Sequence, residues 1–378
     1  MLTILMIDDD AGLVETARSQ LAGPTIRFES ETDFKKAAQR IREVRPDIVI
    51  LDWFQGSPTT GEAAGKDVWA EIWKAWFCPV VLYSAGDVDI EAEVPQDQQH
   101  PFVKTVAKGA KSLDTVSGHL EGFRAHAGAL KEVAEDIDRV KHDIMRDLSA
   151  AVFTSVTTTD TDRAAVLKRA ARRRLAAVMD DHHHISAENA YPWEQYVFPV
   201  LTGHPVTGDI IRLTDQPWTN TSAYRVILSP TCDMVTHGGR PCKVNQYLTA
   251  KCGDPQRFLK DGLNLAGKQK KENIEKLVRS ALNEAQKSGF FVLPECTGLI
   301  PLMAVDLRDL ELIPTTDVAG GSEKTKKYCR VASIDSPFRE YVGWGYMQVG
   351  CRPGVPPRDS EQLVSAIAGL WVNPPETK

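Results

Sequence analysis

No run of 18 consecutive apolar residues occurs in this chain, so no membrane-spanning helix is expected. Positive charge is in deficit: 45 Lys and Arg stand against 51 Asp and Glu, a net charge of −6. Bulk electrostatics therefore do not favour nucleic acid, and only a local basic patch would touch phosphate. Cysteine is sparse, with seven in 378 residues, an odd and scattered set that gives no disulfide framework. Nothing at the start reads as a signal peptide, because Met1–Ile7 runs straight into Asp8, Asp9 and Asp10. Reduced thiols and a cytoplasmic location follow as expectations. A phosphate-binding P-loop, a glycine-rich dinucleotide turn and a helix-turn-helix pattern are also missing.

What is present begins with strands and helices in alternation. Leu2–Ile7 is a continuous apolar run, as a strand buried on both faces requires, and Asp47–Leu51 is a second buried strand. Between them lie an amphipathic helix on Leu13, Val14, Ala17 and Leu21, a short strand over Thr25–Glu29, and a helix on Phe34, Ala37, Ala38, Ile41 and Val44. A third helix around Val68 and Ile72, a strand over Pro79–Tyr83 and a brief strand at Phe102–Val103 complete the series. Such alternation predicts a parallel sheet with helices on both faces. Reactive groups in such sheets gather at the carboxyl ends of the strands. There the sequence places Asp8 and Asp9, Asp52, Ser84 and Lys104. Three carboxylates repel one another unless a cation sits between them, and an oxygen-only set suits Mg²⁺. A carboxylate can attack phosphorus, while a metal and an ammonium neutralise the transferring group.

The segments ILMIDDD, PDIVILDW, VVLYSA and FVKT resemble the four signatures of response-regulator receiver domains in two-component signalling, over residues 1–116. The resemblance implies a flavodoxin-like, doubly wound α/β domain with a five-stranded parallel sheet. It implies that Asp52 is the phospho-acceptor, that Asp8, Asp9 and Asp52 hold Mg²⁺, that Ser84 and Lys104 contact the phosphoryl group, and that a histidine kinase is the partner. The sequence departs from the pattern in several places. Thr105 follows Lys104 where a proline is usual, and Phe102 sits one place off the usual aromatic switch position, which Pro101 holds. The alternatives are a pseudo-receiver or phosphate-sink adaptor without catalytic output, or a regulated nuclease or Cys-dependent enzyme.

Residues 117–185 read as a helical connector. A heptad-like seam passes through Phe123, Ala127, Leu130, Ala134, Ile137, Lys141, Ile144, Leu148 and Ala151, with one polar interruption at Lys141, which predicts a homodimer through the 120–151 helix or a long helix packed on its own chain. A second helix over Arg163–Met179 carries Arg163, Lys168, Arg169, Arg172, Arg173 and Arg174, the one dense basic run in the chain. Residues 186–378 form a third segment of short β-type runs with helix over Gln256–Ser288. The expected fold is an α+β output domain on a small curved sheet or barrel. Cys232, His237, Cys242 and Cys252 have the ligand types of a structural Zn²⁺ site, although their spacing is not that of a standard finger or ribbon. Cys232 is alternatively a nucleophilic or redox thiol. SPTCDM and SPFRE stand out without carrying a function.

Overall fold

A computed structural model describes residues 1–56, 63–85, 93–95, 98–155, 159–179, 191–200, 203–236, 241–267, 270–283, 289–321 and 324–350, with 361, 364, 365 and 368. The chain divides into two compact units, Met1–Ile185 and Ser186–Lys378. Among the described residues no helix is long and apolar enough to cross a membrane.

The first unit is built on five parallel strands: β1 (Leu2–Ile7), β2 (Ile26–Glu31), β3 (Ile48–Leu51), β4 (Val80–Ser84) and β5 (Val103–Ala107). Their order is β2-β1-β3-β4-β5, every neighbouring pair parallel. β1, β3 and β4 are buried throughout, which explains their unbroken apolar runs. Helices α1 (Ala11–Leu21), α2 (Phe34–Val44) and α3 (Gly65–Ala75) cover the sheet. Two cores result. One face buries Ile4, Met6, Ile50 and Val81 with α1 and the start of α4 (Ser112–Asp143); the other buries Leu5, Val49, Leu51 and Leu82 under α2 and α3.

α4 is 32 residues long. Leu113, Val116, Leu120, Phe123 and Ala127 belong to the sheet core, so residue 116 lies inside this helix rather than at its edge. Beyond Ala127 the seam opens: Leu130, Val133 and Ile137 are 54, 48 and 39% exposed. One π-turn (Ile144–Leu148) joins α4 to α5 (Ser149–Ser155), and α6 (Asp160–Met179) folds back on α4, α5 and that turn.

The second unit is a seven-stranded antiparallel sheet, with no closed barrel. Its strands are β6 (Tyr196–Val197), β7 (Asp209–Leu213), β8 (Tyr224–Ile227), β9 (Gln246–Gly253), β10 (Phe290–Leu293), β11 (Met303–Pro314) and β12 (Tyr328–Ile334), in the order β10-β11-β9-β8-β7-β12-β6. The sheet half of the expectation holds and the barrel half does not: β6 and β10 lie at opposite ends of the order and do not pair. Register shifts at Asp306/Leu310 and Arg330/Ala332 interrupt two of the ladders. A buried ion pair ties β7 to β12. Arg330 Nε donates to Asp209 Oδ2 at 2.8 Å, Ser333 Oγ donates to Asp209 Oδ1 at 2.5 Å, and both charged side chains are fully buried. Short α7 (Thr231–Met234), with α8 (Lys271–Asn283) and α9 (Phe338–Gly350), completes the unit.

Candidate functional site

The carboxyl ends of β1, β3 and β4 and the residue after β5 open onto one cavity of about 330 Å³, lined by Asp9, Asp52, Phe54, Ser84 and Lys108 among others. Asp52 follows the last residue of β3 and is buried. Its two oxygens have different partners. Ser84 Oγ donates to Oδ1 at 2.7 Å, and Lys108 Nζ donates to Oδ2 at 2.6 Å. The Phe54 amide reaches Oδ1 at 3.3 Å. Asp8 is fully buried and Asp9 stands at the cavity mouth, where the Gly56 amide donates to its Oδ2 at 2.9 Å.

The three adjacent aspartates divide their work. Asp10 does not join the cluster; its Oδ1 accepts from the Gly12 and Leu13 amides and caps α1. Asp8 Oδ1 accepts from the Asp10 amide at 3.0 Å. Asp8 Oδ2 is buried, and its one partner is Lys108 Nζ at 2.7 Å. Burial raises the Asp8 carboxyl above the usual carboxylate range, and the Lys108 charge only partly offsets this. Burial by itself lowers the pKa of Lys108, but hydrogen bonds to Asp52 and Asp8 outweigh it and hold the ammonium more firmly protonated than usual.

Asp8, Asp9 and Asp52 offer oxygens all within 4.8 Å of one another. Three carboxylates and one ammonium leave an excess of negative charge, and the buried Asp8 and Asp52 share that single ammonium. A hard, oxygen-seeking divalent cation fits this set, and Mg²⁺ fits it in charge and size.

Lys104 is not part of the site. It pairs with Val81 in the middle of β5 and its side chain is exposed. β5 extends to Ala107, so Lys108 is the lysine that reaches the crevice. At a rise of about 3.3 Å per residue, Lys104 stands roughly 13 Å short of it. β5 is an edge strand with only Val106 fully buried, and for that reason lacks the apolar run that marks the other strands. A signal was nonetheless present: β4 spans five residues, and a two-residue partner could not pair along it. Counted from Lys108, the place three before is Thr105, while Phe102 packs on Phe123 and His126 of α4.

Gly65 was also missed. A Cβ there would stand 2.5 Å from the Asp52 carbonyl oxygen and 2.7 Å from Trp53 Cα. Its lack of a side chain lets the first turn of α3 press against the backbone that carries Asp52.

The structure does not assemble the expected zinc ligands. Cys252 lies in β9, buried in the core, and burial pushes its thiol up to about 12. Cys242 Sγ lies 3.2 Å from the Val244 carbonyl and 3.4 Å from that of Asp233, either of which can accept its single S–H, and Cys232 is exposed beside Asp233. His237 lies outside the described residues. A Zn²⁺ site is therefore unsupported: β9 turns Cys252 into the core, and a neutral buried thiol is a poor metal ligand. SPTCDM and SPFRE do meet. Thr231 lines one cavity of about 540 Å³ together with Arg339 and Glu340, which pair with each other at 3.0 Å.

No protein-family model matches the chain, and no curated protein matches it. Solved structures similar to it are response-regulator receiver domains. The N-terminal domain of the nisin resistance regulator NsrR is 19% identical over 32% of this chain and 97% of its own, with a TM-score of 0.27. The signal receiver domain of a modulated diguanylate cyclase from Desulfovibrio desulfuricans is 18% identical over 34% and 98%, at 0.28. That of a putative LuxO repressor protein from Vibrio parahaemolyticus is 21% identical over 35% and 96%, at 0.27.

Proposed function

We propose that this chain is a response regulator of a two-component phosphorelay, phosphorylated on Asp52 by a partner histidine kinase, with residues 186–378 as its output module. The observation that carries this reading is the split pairing of Asp52. A hydroxyl holds one oxygen and an ammonium the other, and the same ammonium is the one partner of a buried Asp8 oxygen.

In this reading an Asp52 oxygen attacks the phosphorus of a phosphohistidine. An oxygen–phosphorus bond forms as the phosphorus–nitrogen bond breaks, and the imidazole leaves with the electron pair. Asp8, Asp9 and Asp52 would hold Mg²⁺, which when bound neutralises charge on the transferring group. Lys108 supplies a second, fixed positive charge and follows the new phosphoryl oxygens, as does the Ser84 hydroxyl. Both groups already contact Asp52, so little reorganisation precedes transfer. The exposed Leu130, Val133 and Ile137 of α4 supply the apolar stripe through which two copies would pair within the 120–151 helix.

Intact-mass measurement after incubation with acetyl phosphate and Mg²⁺ tests the central claim. One phosphoryl adduct is expected, and it should vanish in Asp52→Asn. No adduct, combined with no Mg²⁺-dependent change in tryptophan fluorescence on adding beryllofluoride, would leave the first unit as an adaptor without phosphoryl chemistry.

A further inference from the structure

We infer that the outward face of α6 is a docking surface for the phosphate backbone of double-stranded nucleic acid, independent of the chemistry at Asp52. The helix advances 100° per residue, so Lys168, Arg169, Arg172 and Arg173 fall on one side. They form two rows, 168/172 and 169/173, each stepping about 6 Å along the axis. All four are exposed. Leu167, Ala171, Leu175 and Val178 form an adjoining stripe and are half-buried, where α6 packs on α4 and α5.

Pairing separates this patch from an ordinary solvated helix face. The cations of the neighbouring helical segments are matched by carboxylates one turn away: Arg124 with Glu121, Arg139 with Asp136, Lys141 with Asp138, Arg146 with Asp143, and Arg163 with Asp160. Among the described residues none of Lys168, Arg169, Arg172 and Arg173 has an ion-pair partner. No acidic residue occurs between Arg163 and Met179. The neighbouring segments thus neutralise their cations, whereas these four, with Arg174, repel one another in an acidic chain.

The partner's chemistry follows from what flanks them. Ala165 and Ala176 fill the middle of the same side, Met179 ends it, and no aromatic residue falls among them. A protein partner would need an apolar centre to its interface, which this face lacks. Single strands are held largely by stacking on aromatic rings, and none is here. Guanidinium forks on a smooth, small-residue surface suit the repeating phosphates of a duplex, without reading its bases.

Fluorescence anisotropy of the full chain with a labelled duplex of arbitrary sequence tests this, read between 50 and 200 mM KCl. Four neutralised phosphates give a log–log salt slope of about −3.6, a loss of roughly 150-fold in affinity across that range. A second, unrelated duplex should bind equally. Replacing all four residues with Ala, the strongest helix former, preserves α6, as circular dichroism would verify, and should flatten the slope toward zero. Changing the three arginines to Lys should keep it. The inference fails if no binding occurs at 50 mM KCl or if the alanine variant keeps the wild-type slope. It also fails if polyglutamate displaces the duplex at equal charge concentration, which would point to an acidic protein instead.

Discussion

At the scale of single residues, the candidate site shows which chemistry is legible in a sequence and which is not. Asp8, Asp9, Asp52 and Ser84 were readable because each ends a fully buried strand, and a continuous apolar run marks its own end. The lysine was misplaced by four positions because β5 is an edge strand: one side faces solvent, and the alternating VKTVA carries no such mark. The two lysines make the assignment testable. Lys108→Ala removes the ammonium that contacts both Asp52 and Asp8 and should slow acetyl phosphate-driven modification about a hundredfold, as loss of a positioned electrostatic donor does. Lys104→Ala removes only an exposed charge from the middle of β5 and should leave both the rate and the stability within about 0.5 kcal/mol of the parent. Equal effects from the two variants, followed by intact mass over time, would return the role to Lys104. The cysteines teach a related lesson. Ligand types at irregular spacing were visible, but β9, an alternating strand over Gln246–Gly253, went unread beneath them, and it is β9 that buries Cys252.

At the scale of elements, packing decides what periodicity alone leaves open. The seam along α4 is one pattern in sequence and two in structure. Up to Ala127 it is core, because the sheet of the first unit lies beneath it; from Leu130 to Ile137 the apolar residues stand exposed, before Val140 and Ile144 are buried again. Only the second part is free to pair with another copy. Leu130→Glu with Ile137→Glu should therefore give a folded monomer by light scattering where the parent is a dimer, with a melting temperature that no longer rises with protein concentration. A parent chain that is monomeric at high micromolar concentration would dispose of this pairing. At α3 the sequence shows a glycine in a helical stretch but not why it is there. Alanine in a helix ordinarily stabilises by about 1 kcal/mol over glycine. At Gly65 the sign should reverse, because the new Cβ would overlap the Asp52 carbonyl. Overpacking of this kind costs about 1–3 kcal/mol. Urea unfolding of Gly65→Ala reads the sign directly, and a stabilised variant would mean that α3 and the Asp52 segment are not in close contact.

At the scale of the first unit as a whole, the question is how charge arriving at Asp52 reaches the end of α4, and the hydrogen bonds give a specific route. Lys108 contacts Asp52, and Gly109 follows it in the chain. The Gly109 amide donates to Ser112 Oγ at 3.1 Å, and the Ser112 hydroxyl donates back to the Gly109 carbonyl at 2.7 Å. Ser112 opens α4, and its Oγ also lies 2.7 Å from the hydroxyl of Tyr83, the neighbour of Ser84. Both groups that touch Asp52 are thus one residue from a bond to the first residue of α4. A phosphoryl group adds roughly −1.5 to −2 charges, so Lys108 and Ser84 should follow its oxygens and pull on Ser112 from two sides. Coupling of this type is commonly worth about 1–3 kcal/mol. Hydrogen exchange with and without beryllofluoride should show altered protection in the first turns of α4 and along the helix toward Asp143. Ser112→Ala cuts both arms while leaving Asp52, Ser84 and Lys108 in place. It should keep phosphorylation near the parent rate and shrink the response in α4 several-fold. If α4 responds equally in the variant, the signal travels by another path, through Phe102 and its contacts with Phe123 and His126. If α4 does not respond even in the parent, the first unit does not signal through this helix.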